Sequence, residues 1–292
     1  MYDRFFAEHP HIRLDNRHME LFRRAFERAE KLCLAHIHTP NIESLGNQLN
    51  SEAIHLFYLM HAKMQMDLFG KMPHIERFFL EIVLLHRWQI TFDNQMETDS
   101  DKTVIHKVIL GNMIQHRWTL LILDLYERQL ETLFAFGDHP NLNTQEWQTA
   151  FIGAATVSRM ITMLEQTGCQ IFLPTLFEDV HLGVDLIVIL MGTTGVTFSI
   201  KSGVPHMSML LESVSFDTPL EDDSPAGVER SRLASGTRSM NNRYQMDLNP
   251  CRVKLSRDNG LPYSIKMFPE DVDRIRSLFS EIIQPPLNTI PI

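Results

Sequence analysis

The stretch "GVDLIVILMGTTGVTFSIKSG", Gly183 to Gly203, decides the fold. Two runs rich in Val, Ile and Leu flank a short Gly/Thr turn, the pattern of a β-hairpin. Strand side chains alternate between faces. Leu186, Val188 and Leu190 therefore share a face, as do Val196, Phe198 and Ile200, and together they make an apolar surface for helices to cover. The opposite face receives Asp185, Ile187 and Ile189 from one strand and Thr197, Ser199 and Lys201 from the other. Pairing Leu190 with Val196 across a five-residue loop predicts Asp185 directly opposite Lys201. A register slip by two loosens that pairing but keeps both residues on one face. Read as an exposed cross-strand ion pair, the two contribute at most ~1 kcal/mol.

Working outward, helical periodicity dominates the residues before the hairpin. In "NRHMELFRRAFERAEKLCLAHIH" the apolar residues Leu21, Phe22, Ala25, Phe26, Ala29, Leu32 and Cys33 form one stripe. Further helices are predicted over about 43–70, from Pro73 onward, and over about 102–136. Another begins at Asn143, with Glu146 three residues later as in a capping box, and ends at Gly168. "CQIFLP" then reads as a strand and "CRVKLSRDNGLPYSIKMF" as a second hairpin turning at Asn259-Gly260. Between the hairpins "EDDSPAGVERSRLASGTRSMNNRYQ" reads as a long mobile loop, and Pro269 opens a last helix. The expected class is α/β (α+β): a helical domain over 1–140, then a mixed sheet flanked by helices over 141–292.

The chain has 292 residues, a net charge of −9 and three cysteines without a CxxC pair. That acidity argues against coating nucleic acid or anionic membrane over the whole surface, so any nucleic-acid site is a local basic patch. The cysteine usage points to a reducing, cytoplasmic setting. No apolar run suits a signal peptide or a bilayer span, so no membrane partner is expected.

The order of helix, glycine, strand, proline, acidic turn "FEDVHLG", then "VDLIVIL", turn and "VTFSIKSG" resembles the PD-(D/E)XK nuclease superfamily, which has a restriction endonuclease-like fold. The likeness covers about 147–203. It implies a mixed sheet flanked by helices, on which an aspartate and an acid-x-lysine hold a divalent metal and a water. It implies Asp185 as the metal-ligating aspartate and Lys201 as the lysine. Ser199 stands where the acid two before that lysine belongs, and Ala154, Ala155 and Thr156 occupy the region of a helix glutamate. Glu178 and Asp179 in the acidic turn are then the candidates to complete the metal set. Mg²⁺, or Mn²⁺, is the implied cofactor, since it takes few carboxylates and keeps several waters.

From Val228 to Lys266 eight Lys and Arg residues face three acids. Arg230, Arg232, Arg238 and Arg243 are the candidates for gripping a phosphate backbone, with DNA as the expected partner. The competing assignment pairs these arginines with Glu221 to Asp223. Among fourteen histidines, Glu52 and His55 form a single ExxH, and His181 and His206 flank the hairpin; neither arrangement makes a metal site by spacing. Three functions stand open: a metal-dependent DNA endonuclease, a nuclease-like module that binds nucleic acid or protein without catalysis, and a helical scaffold that forms homo-oligomers.

Overall fold

The computed structural model describes residues 82, 85–86, 101–123, 125, 130–131, 133–134, 136–138, 143–174, 178–179, 182–205, 209–217, 224–257 and 268–283. The helices expected before residue 73 lie outside them, and of the third only Ile82, Leu85 and His86 are described, all helical. The chain divides into two compact units, Met1–Ala155 and Thr156–Ile292.

In the first unit α1, Asp101–Leu123, buries Ile114, Trp118, Leu121 and Ile122, spaced to fall on one helical stripe. Helix α2, Thr144–Glu165, starts as its sequence predicts. The Asn143 side chain accepts from the Glu146 N–H at 3.3 Å, and Gly168 follows its end at φ +74°. The N-terminal half of α2 contributes Trp147 and Phe151 to an aromatic cluster, each with its ring centroid within 5 Å of Trp118. The indole N–H of Trp147 is satisfied by the Leu133 carbonyl at 2.8 Å.

The second unit is a five-stranded mixed sheet. Its strands are β1 Gln170–Phe172, β2 Leu186–Met191, β3 Thr194–Pro205, β4 Leu210–Ser213 and β5 Asp247–Arg257, in the order β1-β2-β3-β5-β4. Among the described strands only β3 and β5 run parallel. A parallel neighbour needs a crossover, and helix α3, Pro225–Tyr244, lies in that connection. Val196, Phe198 and Ile200 of β3, with Leu186, Val188, Cys251 and Val253, face the C-terminal half of α2 and helix α4, Pro269–Ile283. An Arg159–Asp271 pair at 3.0 Å, buried on both sides, ties α2 to α4. The opposite face carries Ile187, Ile189 and Leu248 against Leu233, Ala234 and Met240 of α3. The face assignment made from hairpin parity therefore holds.

Three expectations are corrected. The helix expected over about 102–136 ends at Leu123, with a bend at Leu125 and a separate short turn at Phe136–Asp138. The hairpin turns in two residues, Gly192 and Thr193, with Gly192 at φ +59°, because positive φ at the first central residue suits a type II′ connection. Leu186 consequently pairs with Phe198, a register two residues from the predicted one, with a bulge between Ile189 and Met191. The stretch read as a long mobile loop is the 20-residue α3. Ser224 caps it by accepting from the Gly227 N–H at 3.1 Å, Pro225 opens it, and Gln245 closes it in the left-handed region at φ 53°. Its Ser, Gly and Asn content lowers intrinsic helicity, but tertiary packing overrides propensity. The return strand proposed after Asn259-Gly260 lies outside the described residues, and β5 pairs with β3 and β4. Among the described residues no helix is long and apolar enough to cross a membrane.

The small residues of α3 serve close approach. A Cβ at Gly236 would overlap the Leu182 carbonyl oxygen, and Thr237 meets Thr197 hydroxyl to hydroxyl at 2.6 Å. On an open helix surface Gly→Ala stabilises by up to ~1 kcal/mol. Gly236→Ala is expected instead to destabilise by about 1–3 kcal/mol in urea unfolding; a gain in stability would contradict this packing.

Candidate active site

On the α3 face of the sheet a row of polar residues crosses neighbouring strands. Ser199 of β3 pairs in register with Arg252 of β5, which pairs with Glu212 of β4. Carried one residue beyond the Leu186–Phe198 pair, the β2–β3 register sets Asp185 beside Ser199. Backbone geometry holds Asp185 there: its N–H donates to the Phe198 carbonyl at 2.7 Å, and its Oδ2 accepts from the Ile200 N–H at 2.5 Å.

Helix α3 adds a second carboxylate over this row. Glu229 Oε1 accepts from the Ser199 hydroxyl at 2.8 Å and lies 3.6 Å from Lys201 Nζ. Asp185 Oδ2 lies 3.8 Å from the same Nζ. The lysine ammonium therefore sits between two carboxylates, one from the strand entrance and one from the helix. Glu229 Oε2 is taken by Arg252 Nε at 3.0 Å and Nη2 at 2.8 Å. Arg252 Nη1 lies 3.4 Å from Glu212 Oε2, and Glu212 Oε1 accepts from Arg230 at 3.2 Å.

The two carboxylates are poised differently. Burial pushes Asp185 up to about 6; Lys201 and the Ile200 N–H oppose the rise, whereas Asp179 and Glu229 add to it. Burial alone would also raise Glu229, but hydrogen bonds from Arg252 and Ser199 and the charge of Lys201 outweigh it and hold the group low. Only 11% of the Asp185 side chain is exposed, against 48% of Lys201. The site thus has a desolvated acid, an ionised partner acid and a cation with access to solvent.

Asp185, Ser199 and Lys201 come together as the sequence predicts, although Asp185 stands beside Ser199 rather than directly opposite Lys201. Asp179 is near enough for its charge to raise Asp185. Glu178 is buried and accepts from the Tyr244 hydroxyl at 2.8 Å. Among the described residues no group of three or more His, Cys, Asp or Glu is arranged to hold a metal ion, so Asp185, Glu178 and Asp179 do not form a three-ligand set. Arg230 faces Glu212, Arg232 donates to the Asp179 carbonyl at 3.0 Å, and Arg238 donates to the Phe216 carbonyl at 2.7 Å. Arg243 lies over the Tyr244 ring. His181, His206 and Glu221 to Asp223 lie outside the described residues.

Sequence reasoning missed Glu229, Arg252 and Glu212. The available signal was the series Glu229, Leu233, Thr237 and Met240, one stripe at helical spacing behind a Ser-Pro cap. Comparisons with models of protein families, with curated proteins and with solved structures found no match.

Asp185 titrates above its ordinary value, so its contribution to stability is present at low pH and is lost as pH rises through about 6. Asp185→Asn cannot ionise and escapes that loss. Its stability relative to the parent, measured by urea unfolding in chelator, is expected to rise by about 1–3 kcal/mol between pH 4 and pH 7. A difference independent of pH would show that Asp185 is not desolvated.

Proposed function

We propose that this chain carries a divalent-metal-dependent phosphodiesterase site of the PD-(D/E)XK kind, acting on DNA. The observation that carries the reading is the placement of Lys201 Nζ between the Asp185 and Glu229 carboxylates, with Ser199 donating to Glu229. In the motif the acid belongs two residues before the lysine, where this chain has Ser199. Here α3 brings a carboxylate to that same spot, and the serine hydroxyl orients it. The order of α2, β1, β2, β3, α3 and β5, with β3 and β5 parallel, supports the same reading.

The donor set suits Mg²⁺ or Mn²⁺, which take one or two carboxylates and retain water. The hydrogen bond from Ile200 and the ion pair with Lys201 both fall on Oδ2 of Asp185, so Oδ1 is the oxygen that would ligate. Asp185 and Glu229 would hold the ion, whose chemistry is to polarise the phosphate and acidify a bound water. Asp179 contributes negative field to the centre. Lys201, half exposed, is placed to stabilise charge on a phosphate oxygen. Arg232, Arg238 and Arg243 on the exposed side of α3 offer sequence-independent contacts to a nucleic-acid backbone.

The test is cleavage of plasmid and linear DNA with Mg²⁺ or Mn²⁺. Asp185→Ala, Glu229→Gln and Lys201→Ala are each expected to slow it by ~10²-fold or more, and Ser199→Ala by much less. Cleavage that persists in chelator, or survives both Asp185→Ala and Lys201→Ala, refutes the assignment.

The lack of a three-ligand group among the described residues favours a second reading, a nuclease-like module that binds without cutting. In that case DNA binding persists without metal, weakens steeply with salt, and loses about one unit of log–log salt slope per arginine removed at Arg232 or Arg238. A flat salt dependence counts against it.

A further inference from the structure

We infer that Arg252 is the positioning residue that presents Glu229 to the Asp185–Lys201 site, with Glu212 anchoring Arg252 in turn. The inference rests on the proposed reading of that site as a metal centre. It concerns a strand β5 residue outside the acid-x-lysine pattern.

Arg252 stands on the same cross-strand row as Ser199 and Glu212, so the ladder fixes its backbone between the two groups it serves. Its side chain is only 9% exposed, which keeps it from acting as a free phosphate grip. Its Nε and Nη2 both converge on Glu229 Oε2, at 3.0 and 2.8 Å. Two bonds from one rigid guanidinium fix that oxygen in position and direction, which a single-point ammonium does not reproduce. With Oε2 pinned, Oε1 is turned to Ser199 and toward Lys201. Glu229 starts from a helix and has three side-chain torsions to order, so without the fork its carboxylate has many alternatives to this one.

Glu212 gives the fork its second anchor. It lies on β4, one strand further out, and meets Arg252 Nη1 at 3.4 Å while also pairing with Arg230. The guanidinium is thereby held between two carboxylates, and its charge is shared rather than wholly spent on Glu229. Glu229 stays ionised, with Oε1, held by Ser199, as the oxygen turned toward Lys201. A partner of a metal-ligating group that fixes its orientation typically accounts for about 10–100-fold in metal affinity.

The experiment measures Mn²⁺ affinity of the full chain at constant pH, by titration calorimetry and by electron paramagnetic resonance of free Mn²⁺. The proteins are the parent, Arg252→Gln, Arg252→Lys, Glu212→Gln, Glu229→Gln and the Arg252→Gln/Glu229→Gln double variant. Arg252→Gln is expected to weaken binding by about 10-fold or more, and Arg252→Lys to recover only part of that. Once Glu229 is replaced, Arg252→Gln should change affinity by less than about twofold, because its effect acts through Glu229. If Arg252→Gln fails to fold, Arg252→Lys and Glu212→Gln carry the test, each expected to weaken binding by a few-fold with an unchanged melting curve. A parent that binds no Mn²⁺ overturns the metal-centre reading itself. A parent that binds, with Arg252 variants of unchanged affinity or with effects that add fully to Glu229→Gln, overturns the role of Arg252 alone.

Discussion

The close contact of helix α3 with the sheet is the constraint on which the site depends. Gly236 lets the helix backbone reach the Leu182 carbonyl, and Thr237 meets Thr197 across the interface. Two turns before Thr237, the same stripe carries Glu229 over Ser199. A larger residue at 236 would lift the helix and withdraw the carboxylate. The far end of α3 is fixed as well, since the Asn241 amide pairs with both the N–H and the carbonyl of Leu248 at 2.9 Å. Helix and strands are therefore held together at two levels on one side of the charged row, at Thr197 and at Leu248.

That row places three acids, Asp185, Glu229 and Glu212, with three bases, Lys201, Arg252 and Arg230, on a partly dry surface. Desolvation penalises each charge, and pairing offsets it only where geometry is good. Glu229 has the best geometry, with Arg252, Ser199 and Lys201 around it, and stays ionised. At Asp185 burial dominates, Asp179 and Glu229 add to it, and the pKa rises despite Lys201 and the Ile200 N–H. The row thus sets a desolvated acid beside an ammonium that is half exposed to solvent.

Much of the fold was legible where local signals were strong. Asn143, Glu146 and Gly168 marked the ends of α2, Pro269 opened α4, and parity sorted the hairpin faces. The turn length was misread because one glycine with positive φ closes the hairpin more tightly than the flanking apolar pattern implies. Helix α3 was misread because its Ser, Gly and Asn content lowers intrinsic helicity, while the face that holds it in place, Gly227, Leu233, Ala234, Gly236, Thr237 and Met240, acts only through packing against the sheet. Asp185, Ser199 and Lys201 were legible as one site because they share strand parity. Glu229 was hidden from that reasoning because it arrives from an element thirty residues further along the chain.

The sequence by itself determined the local geometry of the site. Alternation along a strand places Asp185, Ser199 and Lys201 on one face wherever the hairpin goes, because side-chain direction there follows from backbone period alone. It also set Ser199 two residues before Lys201, on the same face. Only the tertiary structure decided which carboxylate meets that serine. The parallel β3–β5 pairing brings Arg252 beside Ser199, and the crossover lays α3 on that face with Glu229 downward. Those placements depend on which strands neighbour one another and how closely a helix can approach. Both are set by packing among residues distant in the chain.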